Sequence, residues 1–274
     1  MKKIAFAIFF FLFYTKVIAQ QPTFLSRSEF GIHLGQMYYL GDLNPNKQFY
    51  HSNLAGGVMY RFNLQNRLAL RFSFTAGNIE AYDKDSDKPL NVNRNLDFQS
   101  KIRELAGGIE FYHTPFQLGN KRYPGTFYFL TQIGVFYMNP TTYYNTKIVN
   151  LNQLGTEGQG TSLNGHRKYS NYQLCVPIGI GGKISLGKIA TFNFDFAIRK
   201  TFTDYLDDVA SDSYADLIRL ASLNGTTAAA LSNKSLDGNR FGKRGNSSTK
   251  DWYVYFGGMI TLKLGKGKAC TMPR

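Results

Sequence analysis

Four histidines are the residues of this sequence whose type best suits catalysis or metal binding. They are His33, His51, His113 and His166; none has a second histidine at i+2 or i+4, and no cysteine lies near them. A metal site needs several ligands at such spacings. Serine, histidine and aspartate do occur together in the predicted loops, as they do in any long set of loops. The sequence therefore predicts no catalytic site, no bound metal and no cofactor.

An aspartate triplet imitates the start of a calcium-binding loop. Asp83, Asp85 and Asp87 have the spacing of the first ligands of such a loop. The sixth position is Lys88 where glycine is required, and the twelfth is Arg94 where glutamate is required. Because both positions fail, we do not predict calcium binding there.

A denser acidic cluster directly follows the seventh of the strands predicted below. It consists of Asp204, Asp207, Asp208 and Asp212. A bound cation is one use of such a cluster. Ion pairs with nearby basic residues are the use that we favour, and the candidates are Arg199, Lys200 and Arg219.

The composition excludes several classes of protein. The chain has 274 residues, of which 43% are hydrophobic, and two cysteines, Cys175 and Cys270. This hydrophobic fraction excludes disorder as the dominant state, and two cysteines cannot make a disulfide scaffold. Beyond the N-terminus, no apolar run approaches the roughly 18–20 residues of a membrane-spanning helix. The formal net charge of +14 predicts contact with lipid phosphates or an acidic partner.

Residues 1–19 have the three parts of a secretory signal peptide. Lys2 and Lys3 precede an apolar run at 4–14, and the small residue Ala19 follows. The run is too short to span a bilayer. No cysteine stands directly after the cleavage site, so the mature chain is not expected to be a lipoprotein. We predict an exported protein without a nucleic acid partner, with a folded domain at 20–264 and a periplasmic tail at 265–274.

Eight segments of the exported chain alternate apolar and polar residues with the period of two that is typical of strands with two different faces. At 190–202, Phe192, Phe194 and Phe196 share one face, while Asn193 and Asp195 share the other. The other seven segments are 28–38, 54–62, 67–78, 102–112, 126–138, 172–186 and 251–264.

The apolar faces are too bulky to lie inside a barrel. The interior of an eight-stranded barrel only just holds side chains, and the apolar faces of five strands alone supply more large residues than it can take. The opposite faces are rich in glycine, serine and threonine, with occasional charges, as a small polar lumen requires. We therefore expect the apolar faces to contact lipid. The predicted fold is all-β: an eight-stranded antiparallel outer-membrane β-barrel.

Long and short connections alternate between the predicted strands. The long ones are 39–53, 79–101, 139–171 and 203–250, and the short ones are 63–66, 113–125 and 187–189. Outer-membrane barrels have short periplasmic turns and long extracellular loops, so both termini are expected in the periplasm. The apolar-rich segment 142–151 leaves an extra strand pair within 139–171 open. A short helix is expected near Leu217 and Leu220, with Ser213 as its cap.

Three loop segments have a sequence too specific to be filler. They read MYYLGDLNP at 37–45, LGTEGQG at 154–160 and RKTFTDYLDDVA at 199–210, and a fourth element pairs Arg244-Gly245 with Asp251-Trp252-Tyr253. The residues that we single out are Leu40, Gly41, Asp42, Asn44, Pro45, Gly155, Thr156, Glu157, Gly158, Thr203, Asp204, Tyr205, Asp207 and Asp208. Many are turn-forming types. They are compatible with a compact, mutually packed outer cap and equally with a cap that binds a partner.

Together with the signal peptide and the strand pattern, these segments resemble the PorG family, an outer-membrane component of the type IX secretion system of Bacteroidota. The resemblance extends from about residue 28 to Leu264, and only 225–250 matches nothing in it. It implies a small barrel that associates with the periplasmic ring of the PorK lipoprotein and PorN. That ring belongs to a machine that exports proteins and, in gliding species, supports motility. The resemblance does not imply that the barrel is the conduit.

On this resemblance the ring lies on the periplasmic side, where the short turns and the tail are expected. The candidates for contact with it are Asn63, Leu64, Gln65, Asn66, Lys121, Arg122, Tyr123, Lys266 and Lys268, with Arg274 at the end of the tail. The same residues could equally be solvated turn residues. Two other functions stay open: a stand-alone small barrel for adhesion or envelope integrity, and a small-solute pore or outer-membrane enzyme.

Overall fold

A computed structural model describes residues 28–164 and 167–264 of the chain. Its ten strands are β1 (Ser28–Leu40), β2 (Asn53–Gln65), β3 (Leu68–Tyr82), β4 (Asp97–Tyr112), β5 (Gly125–Tyr137), β6 (Pro140–Tyr144), β7 (Lys147–Asn150), β8 (Tyr172–Leu186), β9 (Ala190–Thr201) and β10 (Trp252–Leu264). The predicted signal peptide, the tail with Lys266, Lys268 and Arg274, and His166 lie outside the described residues.

Eight of these strands, all except β6 and β7, form a closed antiparallel barrel. Each strand pairs with the next one along the chain, and the ring closes where β1 pairs with β10 along its whole length, from Ser28 opposite Leu264 to Leu40 opposite Trp252. These eight strands correspond one to one with the eight predicted segments, which confirms the predicted eight-stranded antiparallel barrel.

The two faces of the strands lie as the alternation predicts. In β5, side chains are buried and exposed in strict alternation. Phe127 and Ile133 project outward and are 75% and 72% exposed, whereas Tyr128 and Phe136 point into the lumen and are buried. A soluble barrel would hide its large apolar side chains and expose the polar ones. This barrel does the reverse, so its outer wall is apolar.

The β3–β4 hairpin is longer than its alternation predicts. β3 continues from the predicted end at 78 to Tyr82, and β4 begins at Asp97 instead of 102. The added residues pair with one another, Glu80 opposite Gln99 and Tyr82 opposite Asp97. Their outward side chains are polar, so they lack the apolar signal that the prediction followed.

The extra strand pair that the sequence left open within 139–171 is present. β6 and β7 form a hairpin, and β6 pairs with the extended end of β4 at Gln99 and Ser100. The hairpin therefore prolongs the wall beyond the end of β5 and is not part of the ring.

Four short α-helices lie between the strands at the same end of the barrel: α1 (Pro89–Arg94), α2 (Leu151–Leu154), α3 (Leu217–Asn224) and α4 (Thr226–Ser232). Helix α3 is the predicted one, but its N-cap is Asp216, whose carboxylate accepts the N–H groups of Ile218 and Arg219, and not Ser213. In the part of the chain that the structure describes, no helix is long and apolar enough to cross a membrane.

The two ends of the barrel differ. Connections 66–67, 113–124 and 187–189 form what we term the turn end, where β1 begins and β10 ends. Connections 41–52, 83–96, 138–171 and 202–251 form the long-loop end, and each is longer than the turns on either side of it in the chain. The predicted alternation is thus confirmed, although 113–124 is as long as 41–52.

Ion pairs fill the half of the lumen nearer the turn end. Arg61 binds Glu29 at 2.8 Å and Glu110 at 2.6 Å, and Arg71 binds the same Glu110 at 3.0 Å. Arg71 also binds Asp195 at 2.5 Å. Lys183 completes the network with a 2.8 Å contact to Glu29. All of these side chains are buried. These buried side chains occupy the lumen at this level.

A second polar layer crosses the other half of the lumen. Glu104 accepts hydrogen bonds from Arg199 at 3.1 Å and from the Tyr253 hydroxyl at 2.7 Å, and the Cys175 thiol lies beside it. His33 also faces the lumen, with Nδ1 2.9 Å from the Tyr255 hydroxyl. Above this layer the lumen is continuous with the apolar core of the long loops.

Candidate functional site

The four connections at the long-loop end pack together into a cap, and this cap contains the motif residues that the sequence singles out. Leu206, Val209 and Leu231 from 202–251 pack with Leu43 and Leu151 from two other connections in one apolar cluster. This shared apolar cluster packs the connections against one another over the mouth of the barrel.

Two buried carboxyl groups meet at one tyrosine hydroxyl in the floor of the cap. The Tyr39 hydroxyl lies 2.6 Å from Asp207 Oδ2 and 2.9 Å from Asp251 Oδ1. Asp251 also accepts the Leu206 N–H, and Asp207 accepts the Val209 N–H. Burial raises the pKa of both carboxyls well above the usual range, and for Asp207 the neighbouring charge of Asp251 adds to this effect. The Tyr39 hydroxyl has one proton and can donate it to only one of the two carboxyls. Both contacts are therefore hydrogen bonds when the other carboxyl is protonated and donates to the hydroxyl oxygen.

Glu157 of the LGTEGQG segment ties two connections together. It forms an ion pair with Arg244, and both side chains are buried. The same carboxylate accepts the N–H groups of Ala210 and Ser211 at 3.0 and 3.1 Å. Arg244 also donates to the carbonyl oxygen of Asp208 at 3.2 Å. The LGTEGQG and RKTFTDYLDDVA segments and the Arg244-Gly245 element are therefore parts of one buried unit.

Asp208 anchors the same unit from the opposite side. Its carboxylate accepts hydrogen bonds from the Thr156 hydroxyl at 2.5 Å and the Tyr169 hydroxyl at 2.7 Å. Its backbone is left-handed, with φ 66°. Burial raises the pKa of Asp208 to about 6, although the charge of Arg244 acts in the opposite direction. The Tyr169 ring stacks on Tyr205 with the ring centres 4.6 Å apart.

The MYYLGDLNP segment is held by contacts on both sides of its turn. The Asp42 carboxylate accepts the Asn246 N–H at 2.8 Å. The Asn44 side-chain amide donates to the carbonyl oxygen of Tyr39 at 2.9 Å. A Cβ at Gly41 would lie 2.1 Å from both Asp251 Oδ1 and the Tyr39 hydroxyl, so only glycine fits there.

Arg94 is the central contact that the sequence analysis missed. Its guanidinium binds both carboxylate oxygens of Asp83 at 2.6 Å. It also donates to the carbonyl oxygens of Arg244 and Asp42. In the sequence, Asp83 and Arg94 stand out only as positions of a calcium-loop pattern that does not match. Nothing in their spacing indicates that they would join three connections.

The acidic cluster does not form the predicted ion pairs with Arg199, Lys200 and Arg219. Asp204 pairs with Lys250 at 3.4 Å, and Asp212 pairs with Lys243 at 2.7 Å. Arg199 lies on the lumen face of β9 and binds Glu104 instead. The described residues contain no group of three or more acidic, histidine or cysteine side chains arranged to hold a metal ion.

The remaining singled-out residues have structural roles. The Thr203 hydroxyl accepts the Tyr205 N–H at 3.1 Å. Gly155 and Gly158 adopt left-handed φ values of 64° and 79°, which glycine tolerates. Leu40 ends β1, and Pro45 lines a groove beside the cap.

At the turn end, most of the predicted contact residues are on the surface. Leu64, Gln65, Asn66, Lys121 and Arg122 are exposed, and Tyr123 is half-buried. Asn63 is the exception, and its candidacy needs correction. Its side chain points into the lumen, where it is buried and donates to Glu29 at 2.9 Å. The period of two along β2 puts Asn63 on the same face as Arg61.

Comparisons with known proteins give a family and a general likeness. A model of the family described as a domain of unknown function (DUF6089) matches residues 2–228. No curated protein matches the sequence.

Among solved structures, the chain is similar to Neisserial surface protein A, with 5% identity, 86% of this chain and 97% of the other covered, and a TM-score of 0.42. It is also similar to Ail, the attachment invasion locus protein of Yersinia pestis, with 8% identity, 87% and 99% covered, and a TM-score of 0.41. It is similar as well to the outer membrane protein OprG of Pseudomonas aeruginosa, with 11% identity, 88% of this chain and 99% of the other covered, and a TM-score of 0.40.

Proposed function

This chain belongs to the DUF6089 family, and we propose that it is a non-enzymatic outer-membrane barrel that anchors the periplasmic PorK/PorN ring of a type IX secretion system to the membrane. The observation that carries the membrane role is the closed barrel with an apolar outer wall and a lumen filled by ion pairs. The ring and the secretion system come from the resemblance of four loop elements to the PorG family.

The dimensions of the apolar wall support insertion in a bilayer. On β8 the outward positions run from Leu174 to Leu186. All of them carry large apolar side chains except one, which is Gly182. Twelve strand steps span about 40 Å, and a tilt of about 40° reduces this to about 30 Å, close to the height of a barrel's apolar band. The sequence of a signal peptide ahead of the barrel supports the outer membrane as the destination.

The unequal ends support one orientation. Barrels of this membrane place short turns in the periplasm and long loops outside. We therefore assign the turn end to the periplasm, with both ends of the barrel chain on that side, and the cap to the cell exterior.

The filled lumen supports an anchoring role over a conducting one. The layer around Arg61 and the layer around Glu104 both cross the interior, and the cap covers one mouth. Opening a path would require breaking buried ion pairs. Loss of one partner from such a pair destabilises a protein by about 3–5 kcal/mol. Cargo proteins must therefore pass elsewhere.

The surface available to the ring is the turn end. Leu64, Gln65 and Asn66 project from the β2–β3 turn, and Lys121 and Arg122 project from 113–124. The segment 113–124 packs against the β2–β3 turn, because the Phe116 N–H donates to the Asn66 carbonyl oxygen at 2.9 Å and the Phe116 side chain is buried. The two turns thus form one joined surface.

Gentle detergent extraction of a tagged copy, followed by mass spectrometry of the proteins that co-purify, tests the proposal. We expect PorK-like and PorN-like proteins to dominate for the wild type and to be lost for K121E/R122E. The matched variant K147E/R167E makes the same charge change on exposed residues of 138–171 and should retain them. A barrel that comes out alone, under conditions that keep the ring intact, contradicts the proposal and favours a stand-alone barrel for adhesion or envelope integrity.

A further inference from the structure

Two cations interrupt the apolar wall on the outside of β4. Lys101 and Arg103 project outward at positions i and i+2, about 7 Å apart along the strand. Within the described residues, neither side chain has an ion pair or a hydrogen bond. All the cations in the lumen, by contrast, bind carboxylates.

Below Arg103, towards the turn end, lies an apolar row. Leu105 stands between Phe74 of β3 and Val135 of β5 in the register of the sheet. These side chains are 66%, 41% and 47% exposed on the outer wall. In a membrane such a row contacts acyl chains, because nothing else in the bilayer interior is available to it.

Beside Arg103 the wall carries a small residue and a pair of tyrosines. Arg103 lies opposite Ala76 on one side and Tyr137 on the other. The Tyr137 and Tyr172 rings meet edge-on, with centres 5.3 Å apart. The cations, the tyrosines and the apolar row surround one groove of about 630 Å³, which Asn139 also lines.

Tyrosine and tryptophan mark the level of the headgroups in membrane proteins, where one end of the side chain is apolar and the other is hydrated. The groove therefore spans the boundary between the acyl chains and the headgroups on the side of the long loops. Its upper part is cationic and can donate hydrogen bonds, and its lower part is apolar. The ligand that matches both parts is a lipid with a negatively charged phosphate in its headgroup.

We propose that Lys101, Arg103 and the tyrosine pair form a binding site on the outer wall of the barrel for a phosphorylated, anionic lipid. Its phosphate accepts hydrogen bonds from the two cations, and one acyl chain lies along the row of Phe74, Leu105 and Val135. The site rests on the proposed location of the barrel in a membrane. It does not depend on the ring. A solitary interfacial lysine or arginine is common; the pair above an apolar groove is what makes this place specific.

Native mass spectrometry of the whole mature protein in detergent micelles tests the site, with bisphosphorylated lipid A as the probe. We expect the wild type to retain one lipid A molecule. K101Q/R103Q should weaken retention about thirtyfold, from an effect of about fivefold for each cation near an anionic surface. K147Q/R167Q removes the same charge from exposed residues of the cap and should leave retention unchanged. Phosphatidylcholine, which has acyl chains but no net charge, should not be retained.

Two results overturn the proposal. Equal retention of lipid A by the wild type and K101Q/R103Q shows that the cations do not bind the headgroup. Displacement of lipid A by millimolar inorganic phosphate shows a site for a free anion and not for a lipid. All variants are first inserted into liposomes and checked by heat-modifiable gel migration. Failure of the wild type to insert refutes the membrane proposal together with the site, whereas a barrel that inserts and retains no lipid A refutes the site alone.

Discussion

The strongest single prediction concerns Asp208, a carboxyl group whose pKa is raised by burial in the cap. Burial raises its pKa from 3.8 to about 6. A carboxyl with a raised pKa in the folded state binds more protons when folded than when unfolded at intermediate pH. Its contribution to stability is therefore fully present below pH 3.8 and is lost as pH rises through 6. Each pKa unit corresponds to about 1.4 kcal/mol, so the cap should lose about 3 kcal/mol from this group.

The variant D208N removes the titration and leaves the contacts. An asparagine amide can accept from one of the Thr156 and Tyr169 hydroxyls and donate to the other. Asparagine also tolerates the left-handed backbone at this position, where φ is 66°. We therefore expect D208N to gain stability in the cap relative to the wild type at pH 8, and to lose that advantage at pH 4.

Hydrogen exchange measured by mass spectrometry, corrected for the intrinsic rate at each pH, is the suitable assay. The N–H groups of Val209, Ala210 and Ser211 donate to carboxylates of the cap and so report its opening. Wild-type protection of these amides should fall by up to about a hundredfold between pH 4 and pH 8. D208N should show a shallower fall. The control D237N changes an exposed aspartate of the same connection and should behave as the wild type. Equal slopes for the wild type and D208N, or greater wild-type protection at pH 8, would refute the reasoning.

Three further predictions concern the lumen and the cap. R61M removes the guanidinium that Glu29 and Glu110 share and leaves each of them with one cation, Lys183 and Arg71, so it should destabilise the barrel by about 3–5 kcal/mol in urea titrations in liposomes. G181A puts a Cβ 2.3 Å from the Tyr128 ring, whereas at the adjacent Gly182 the nearest contact is 3.7 Å; G181A should cost about 1–3 kcal/mol in the same titration and G182A markedly less. E157Q weakens the bond to a buried guanidinium, so limited proteolysis should cleave the cap faster while the barrel band in gels is unchanged.

The barrel was largely predictable from the sequence because its signal is periodic and local. Alternation alone identifies all eight strands, and it places Phe192 and Phe194 outward and Asn193 and Asp195 inward, as the structure has them. It fails where the outward positions become polar, as at Glu80 and Gln99, because beyond the apolar band there is no difference between the faces to read. Assigning those positions to strands requires the register of the β3–β4 hairpin, which only the structure gives.

The cap was predictable in its residues and not in its contacts. Glu157 and Arg244 were both singled out, yet 87 positions separate them and no local pattern links them. Arg199 shows a different kind of failure, because the information was present. It shares a strand face with Asn193 and Asp195 and therefore points into the lumen, where it cannot reach Asp207. The period of two along β9 and the predicted ion pair with the acidic cluster are therefore incompatible.

The buried charges of the lumen and the cap are balanced differently. Four buried carboxylates in the lumen, Glu29, Glu104, Glu110 and Asp195, face four buried cations, Arg61, Arg71, Lys183 and Arg199. In the described part of the cap, six buried carboxyls, Asp83, Glu157, Asp204, Asp207, Asp208 and Asp251, face only two buried arginines, Arg94 and Arg244.

A buried carboxyl without a matching cation is neutralised by a proton, because the charged form is too poorly solvated there. The cap must therefore take up protons as it closes, and the shared hydroxyl between Asp207 and Asp251 is where one of them is held. The lumen is neutral without such uptake. We accordingly expect the barrel wall to be stable across the range of pH in which the cap loosens, so that alkaline conditions open the cap while the strands stay paired.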